Sequence, residues 1–181
     1  KSKLNTEKHP EKAILIGVEP KNVPLKSSQV YLDELEFLAY TAGAKTLKRF
    51  TQRLEHANPK TYIGKGKIEE VTAYVKQHGI DLAIFDDELS PSQIRNLEEF
   101  IHCKIVDRSS LILDIFAKNA RTAQARTQVE LAQSEYLLPR LTGMWTHLQK
   151  QKGGIGMKGP GEKEIETDRR VIRDKIAKLK Q

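Results

Sequence analysis

The chain has 181 residues, of which 38% are hydrophobic and 30% charged, a composition typical of a globular protein with a genuine core. Its single cysteine, Cys103, excludes an internal disulfide framework and a cysteine-cluster zinc site. The longest apolar run, residues 13–18, is too short to cross a bilayer, and no signal segment opens the chain. We therefore expect a cytoplasmic monomer without a membrane span.

The charge of the chain is distributed unevenly. Lys and Arg number 31 against 24 Asp and Glu, which gives a net charge of +7. Residues 1–117 carry 17 basic and 17 acidic side chains, whereas residues 118–181 carry 14 basic and 7 acidic ones. An excess confined to one region indicates contact with a polyanion, although a well-solvated helical surface fits the charge alone equally well.

The first two thirds of the chain alternate between strand and helix signals, after a polar tail over 1–12 that we expect to be disordered. Apolar runs predict four strands, at about 13–18, 45–52, 81–85 and 103–106. Helix signals are a Ser27 or Ser28 cap before the apolar positions Val30, Leu35, Leu38 and Ala42, and a helix from Lys67 to His78. Ser90-Pro91 starts a helix whose predicted buried face is Ile94, Leu97, Phe100 and Ile101. A Ser109 or Ser110 cap opens another helix through Leu111, Ile112 and Ile115. This alternation predicts an α/β subdomain over 13–117, with a small parallel four-stranded sheet flanked by helices.

From residue 118 onward the pattern is helical without a strand signal. A long helix over 123–138 meets Pro139, which either kinks or ends it. Five glycines within 153–161 exclude regular helix there. Periodicity then resumes with the coiled-coil spacing of Ile165, Ile172, Ile176 and Leu179. We predict an antiparallel, coiled-coil-like two-helix hairpin over 118–181 with a glycine-rich tip at 153–161. Because the chain stops within this pattern, we expect a longer parent protein.

The hairpin tip is the best candidate for a functional surface. Glycine backbone can approach phosphates closely, lysines release counterions from RNA, and an indole can stack on an unpaired base. The candidate RNA-binding residues are Arg140, Trp145, Lys150, Lys152, Gly153, Gly154, Gly156, Lys158, Gly159, Gly161, Lys163, Arg169 and Arg170. A solvated loop, with Trp145 packed between the helices, fits the same composition.

A second candidate is a nucleotide site in the α/β subdomain. The segment Gly64, Lys65, Gly66 and Lys67 precedes a predicted helix, whose free N–H groups could hold a phosphate, but it lacks the spacing of a phosphate-binding loop. Asp86 and Asp107 follow predicted strands, where open parallel sheets bind ligands, and they are equally suited to turns and helix entries. With no nucleophile and no metal-ligand spacing among the histidines, we expect no catalytic residue, cofactor or metal in this chain; weak ATP binding and hydrolysis is the alternative.

Five motifs in series resemble the N-terminal region of HflX-type GTPases over roughly residues 13–179. They are YIGKGKIEE at 62–70, DELSPSQIRNLE at 87–98, VDRSSLILDIFA at 106–117, QVELAQ at 128–133 with LPRL at 138–141, and GPGE at 159–162 with ETDRR at 166–170. The resemblance implies a chain that binds the large (50S) ribosomal subunit, with the loop at 153–161 contacting its rRNA, in a protein that splits or rescues stalled ribosomes under stress. It also implies that a domain binding GTP and Mg²⁺ follows in the parent, since this chain has none of the GTP-binding motifs.

One further interpretation stays open at this stage. The seam formed by Ile165, Ile172 and Ile176 has the spacing of a dimerising coiled coil, which would make the hairpin a protein-interaction element.

Overall fold

The computed structural model describes residues 9–140 and 162–181, with only the backbone for residues 162–169. In chain order the elements are β1 (Glu11–Pro20), α1 (Leu25–Thr41), β2 (Ala44–Leu54), α2 (Lys65–His78), β3 (Leu82–Phe85), α3 (Pro91–Ile101), β4 (Lys104–Asp107), α4 (Arg108–Asn119), α5 (Ala123–Leu137), a 3-10 turn (Leu138–Arg140) and α6 (Glu162–Leu179). The predicted tip at 153–161 lies outside the described residues, so its structure stays a prediction.

The four strands form one parallel sheet in the order β2-β1-β3-β4, which confirms the predicted sheet. Residues 13–16 of the central strand β1 are 0% exposed, because helices cover both faces of the sheet. Helices α2 and α3 pack around Ile16 and Phe85 on one face. Helices α1 and α4 pack around Leu15 and Ile84 on the other. The chain leaves β1 for β2 and then returns past β1 to β3, so the direction of the winding reverses between β1 and β3.

Three of the four apolar positions named for the first helix pack toward the sheet: Leu35 is buried, and Leu38 and Ala42 pack against the same cluster. Helix α1 begins at Leu25 without a side-chain cap, rather than after Ser27 or Ser28, and it buries Leu32, Leu35 and Ala39. Val30, the fourth apolar position, is 60% exposed. At 3.6 residues per turn, a helix that faces the sheet through the three buried residues places Val30 on the opposite side.

The predicted burial of Phe100 in helix α3 is wrong. Phe100 is 53% exposed, while Ile94, Leu97 and Ile101 of the same helix are buried as expected. Phe100 lies at the border of the apolar stripe of α3, and the sheet reaches only the centre of that stripe.

Side-chain caps set the starts of α3 and α4. The cap of α3 is confirmed: Gln93 N–H donates to Ser90 Oγ at 3.1 Å, and Ser90 N–H donates to Gln93 Oε1 at 2.9 Å. The predicted Ser109 or Ser110 cap of α4 is wrong, because Asp107 occupies that position and accepts from Ser110 N–H at 2.9 Å.

The helices that follow α4 pack onto the α1 side of the sheet. Leu137, Leu138 and Ile172 contact the buried cluster on that side. Lys180 Nζ lies 2.8 Å from Glu135 Oε1, and Lys175 pairs with Glu130, so α5 and α6 also contact each other. Pro139 lies in the 3-10 turn and therefore ends α5 instead of kinking it. The antiparallel course of the hairpin stays a prediction. No helix in the described ranges combines the length and apolar character that a membrane span requires.

Candidate functional site

Asp107 is the centre of a hydrogen-bonded cluster at the base of the predicted hairpin. Its carboxylate is 0% exposed. It accepts from the N–H of Ser110 at 2.9 Å and from the N–H of Leu89 at 3.1 Å, and the hydroxyl of Tyr136 donates to it as well. Burial, and then the hydrogen bond to Asp107, raises the pKa of the Tyr136 phenol. Asp107 therefore joins the end of β4, the start of α4 and helix α5.

Arg140 extends this cluster on the side of the 3-10 turn. Its guanidinium carbon lies 3.8 Å from the ring centre of Tyr136, a stacked cation–π contact. Nη1 donates to the Tyr136 carbonyl at 3.2 Å, and Nη2 and Nε donate to the Leu89 carbonyl at 3.2 and 3.3 Å. Nη2 also lies 3.4 Å from Glu88 Oε1. Arg140 therefore connects the 3-10 turn to α5 and to the segment that precedes α3. We call Asp107, Tyr136 and Arg140 the base cluster.

Asp86 lies beside the base cluster, because β3 and β4 are neighbours in the sheet. Its Oδ1 accepts from Arg108 Nε at 2.9 Å, and Arg108 also reaches Glu34 at 3.3 Å. Burial raises the pKa of Asp86, and Arg108 opposes that shift. Asp86 and Asp107 do come together at the sheet edge, as expected, but both carboxylates already have partners within the fold.

The segment 64–67, considered above as a possible phosphate site, lies at the start of helix α2. Gly64 is the residue before the helix, and Lys65, Gly66 and Lys67 form its first turn. The N–H of Gly64, which could have held a phosphate, donates to Gln52 Oε1 at 2.8 Å. Lys67 Nζ lies 3.0 Å from Glu70. The structure therefore does not bring this segment together with Asp86 and Asp107.

A cavity of about 640 Å³ opens at the carboxyl ends of β1 and β3, where the winding of the sheet reverses. Glu19, Tyr31, Tyr62, Asp86, Asp87 and Arg108 are among its lining residues. Asp107 and the segment 64–67 are not. The sequence analysis named Asp86 but missed Glu19, which lies near the end of β1. The one sequence feature that could have indicated Glu19 is a charged residue placed directly before Pro20, at the end of an apolar run. Among the described residues, no three His, Cys, Asp or Glu side chains converge as a metal site requires.

The remaining candidate RNA-binding residues divide into two groups. Arg170 is exposed on α6, and Lys163 and Arg169 lie in the same helix. Trp145, Lys150, Lys152, Gly153, Gly154, Gly156, Lys158, Gly159 and Gly161 lie outside the described residues.

Comparison with known proteins identifies the family. A model described as GTP-binding GTPase N-terminal matches residues 29–117, and one described as GTP-binding GTPase Middle Region matches residues 119–181. The GTPase HflX of Flavobacterium psychrophilum is 61% identical over 171 residues, covering 94% of this chain and 41% of the relative. The chain belongs to the HflX family of GTPases.

A second relative supports the family, and a solved structure shares the fold. The GTPase HflX of Escherichia coli is 47% identical over 148 residues, which cover 82% of this chain and 35% of the relative. The chain thus spans about two fifths of the length of the curated relatives it matches, and it corresponds to their N-terminal part. A crystal structure of SsGBP in complex with GDP has a TM-score of 0.64 at 21% identity, covering 93% of this chain and 42% of that one, and so shares the fold.

Proposed function

We propose that this chain is the ribosome-docking region of an HflX-type GTPase. In this proposal it binds the large ribosomal subunit, and the hairpin tip around 153–161 contacts the rRNA. The chain itself is not catalytic. GTP and Mg²⁺ bind elsewhere in the whole protein, which splits or rescues stalled ribosomes in the cytoplasm.

The base cluster is the observation that carries the proposal. A basic hairpin can place its tip against RNA only if its base is held firmly on a larger body. Tyr136 and Arg140 connect the hairpin base to the sheet edge through Asp107, Leu89 and Glu88. The charge distribution supports the same arrangement, since residues 118–181 hold 14 basic and 7 acidic side chains while the α/β part is neutral.

The ATP-binding alternative gains no support from the geometry. The N–H of Gly64 has a side-chain partner, Lys67 is paired with Glu70, and Asp107 is enclosed by three donors. The nearby cavity is lined by carboxylates, which repel phosphate groups.

Binding to purified large subunits across a salt series tests the proposal. The variant changes Lys150, Lys152, Lys158 and Lys163 to Ala. If each lysine neutralises one phosphate, the slope of log affinity against log salt flattens by roughly 3 to 4. The matched control changes four exposed lysines of the α/β part, Lys26, Lys45, Lys60 and Lys76, and so removes the same charge elsewhere. Equal losses in the two variants contradict a contact at the tip and indicate non-specific attraction. Binding of ATP in the absence of ribosomes would favour the alternative.

A further inference from the structure

The cavity between β1 and β3 has the position and size of a ligand site. Open α/β sheets bind ligands outside the carboxyl ends of their strands, at the point where the strand order reverses. Here that point lies between β1 and β3, and the cavity of about 640 Å³ opens there. A volume of this order accommodates a small organic molecule.

Glu19 lies in the wall of this cavity, and its carboxylate has no partner among the described residues. It is 9% exposed, and no hydrogen bond or ion pair reaches its side chain from any residue that the structure describes. Alternate residues of a strand share a face, so Glu19 lies on the same side as Gly17, whose added Cβ would meet Leu32 of α1 at 3.3 Å. Buried carboxylates are normally paired or hydrogen-bonded. Glu19 therefore lacks a partner that a bound cation would supply.

Most of the other charged residues in the lining are also acidic. Asp86, Asp87 and Glu88 follow β3, and Arg108 is the one cation among the lining residues. Arg108 is already engaged by Asp86 and Glu34. The amino end of α1 contributes only about half a positive charge. The lining is thus clearly anionic, and it favours an ammonium group over a phosphate.

The rest of the lining indicates an organic cation. Tyr31 lies at the cavity with 55% of its surface exposed, and Tyr62 lines it from the buried side. Aromatic faces attract ammonium groups within about 6 Å. Val18, Val23 and Leu32 supply apolar surface that fits a chain of methylene groups.

We propose that the cavity binds an aliphatic di- or polyamine, with one ammonium group against Glu19 and a second near Asp87. Asp87 is suited to this role because its Oδ1 accepts only from the neighbouring N–H of Glu88, at 2.8 Å. The methylene chain lies along Val18, Val23 and Leu32. This site is independent of the proposed docking function, so either proposal can fail without the other.

Calorimetric titration of the whole chain with spermidine and putrescine tests the site. Wild type should bind spermidine saturably at one site, and Glu19→Gln, which keeps the side-chain volume but removes the charge, should bind at least tenfold more weakly. Glu99→Gln is the matched control, since Glu99 is exposed on α3 away from the cavity lining. Its affinity should equal that of wild type.

A second variant guards against misfolding of the first. Tyr31→Leu changes a largely exposed ring, so the fold should be retained while spermidine binding weakens severalfold. Thermal unfolding of each variant without ligand confirms that it is folded. Three results would overturn the proposal. Wild type gives no saturable heat with spermidine, or wild type and Glu19→Gln bind spermidine equally well. The third is that wild type binds ATP, or Mg²⁺ alone, more tightly than spermidine.

Discussion

The hydroxyl of Tyr136 should stabilise the contact between helix α5 and the sheet edge at Asp107. Tyr136→Phe removes the hydrogen bond to Asp107 and leaves the ring, which retains its stacked contact with Arg140. A hydrogen bond to a charged group contributes about 1.5 to 3 kcal/mol. Asp107 keeps its two backbone donors, from Leu89 and Ser110, so the loss should lie near the lower end of that range. We expect the free energy of unfolding to fall by about 1.5 to 2 kcal/mol.

Urea unfolding followed by circular dichroism measures this change. In a chain of this size, the same loss lowers the melting temperature by roughly 3 to 8 °C. Tyr40→Phe is the matched control, because Tyr40 is 76% exposed and should change stability by less than about 0.5 kcal/mol. If the two variants unfold at the same urea concentration, the Tyr136 hydroxyl does not hold the hairpin base, and the base cluster loses its proposed role.

Three further predictions concern the α/β part. In helix α2, Gly66→Ala should stabilise the protein by about 1 kcal/mol, because Gly66 has ordinary helical geometry and open space around it. At the end of the same helix, Gly79→Ala should destabilise the protein by a similar amount, because Gly79 has a φ of 60°. Urea midpoints of the two variants that move in the same direction contradict this prediction. Burial raises the pKa of the Cys103 thiol to about 12, so a thiol reagent at pH 8 should react far more slowly with the native protein than in denaturant; similar rates would refute the burial. Burial, and then Asp87, raises the pKa of Tyr62, so the folded state holds that proton more tightly and stability should fall as the pH rises above 10. Tyr62→Phe should lose up to about 1.4 kcal/mol per pH unit of that dependence in urea titrations from pH 9 to 11, and an unchanged dependence contradicts it.

Much of the fold could be predicted because its signals are local. The apolar run at 13–18 reads as a strand buried on both faces, and residues 13–16 are fully buried. Ser90 and Pro91 predict the start of α3, and the structure confirms both the Ser90 cap and proline in the first turn. Such signals depend on hydrogen bonds between neighbouring residues, so they do not depend on how distant parts of the chain pack.

The exposure of Val30 on α1 could not be predicted in the same way. Its sequence has apolar residues on more than one side, including Val30 and Phe37, which are 60% and 68% exposed. Which side is buried depends on how the helix axis lies on the sheet, and that is a property of the assembled layers rather than of the helix.

In the candidate site, too, the positions of residues could be predicted from the sequence, but their contacts could not. Asp107 was expected at the carboxyl edge of the sheet because it follows an apolar strand. Its role was not predictable, since its hydroxyl donor, Tyr136, is 29 residues away along the chain. Arg140 likewise looks like a tip residue by sequence, yet it donates to the carbonyl of Leu89, 51 residues earlier.

By itself, the sequence determined the parallel α/β architecture, the segregation of positive charge into 118–181 and the family resemblance, because each depends on composition or on short-range pattern. Only the tertiary structure decided that Asp107 is a structural acceptor, that Arg140 faces inward and that Glu19 lines a cavity without a partner. The reason is physical: the state of a polar group depends on which distant donors and charges the fold brings within a few ångströms of it.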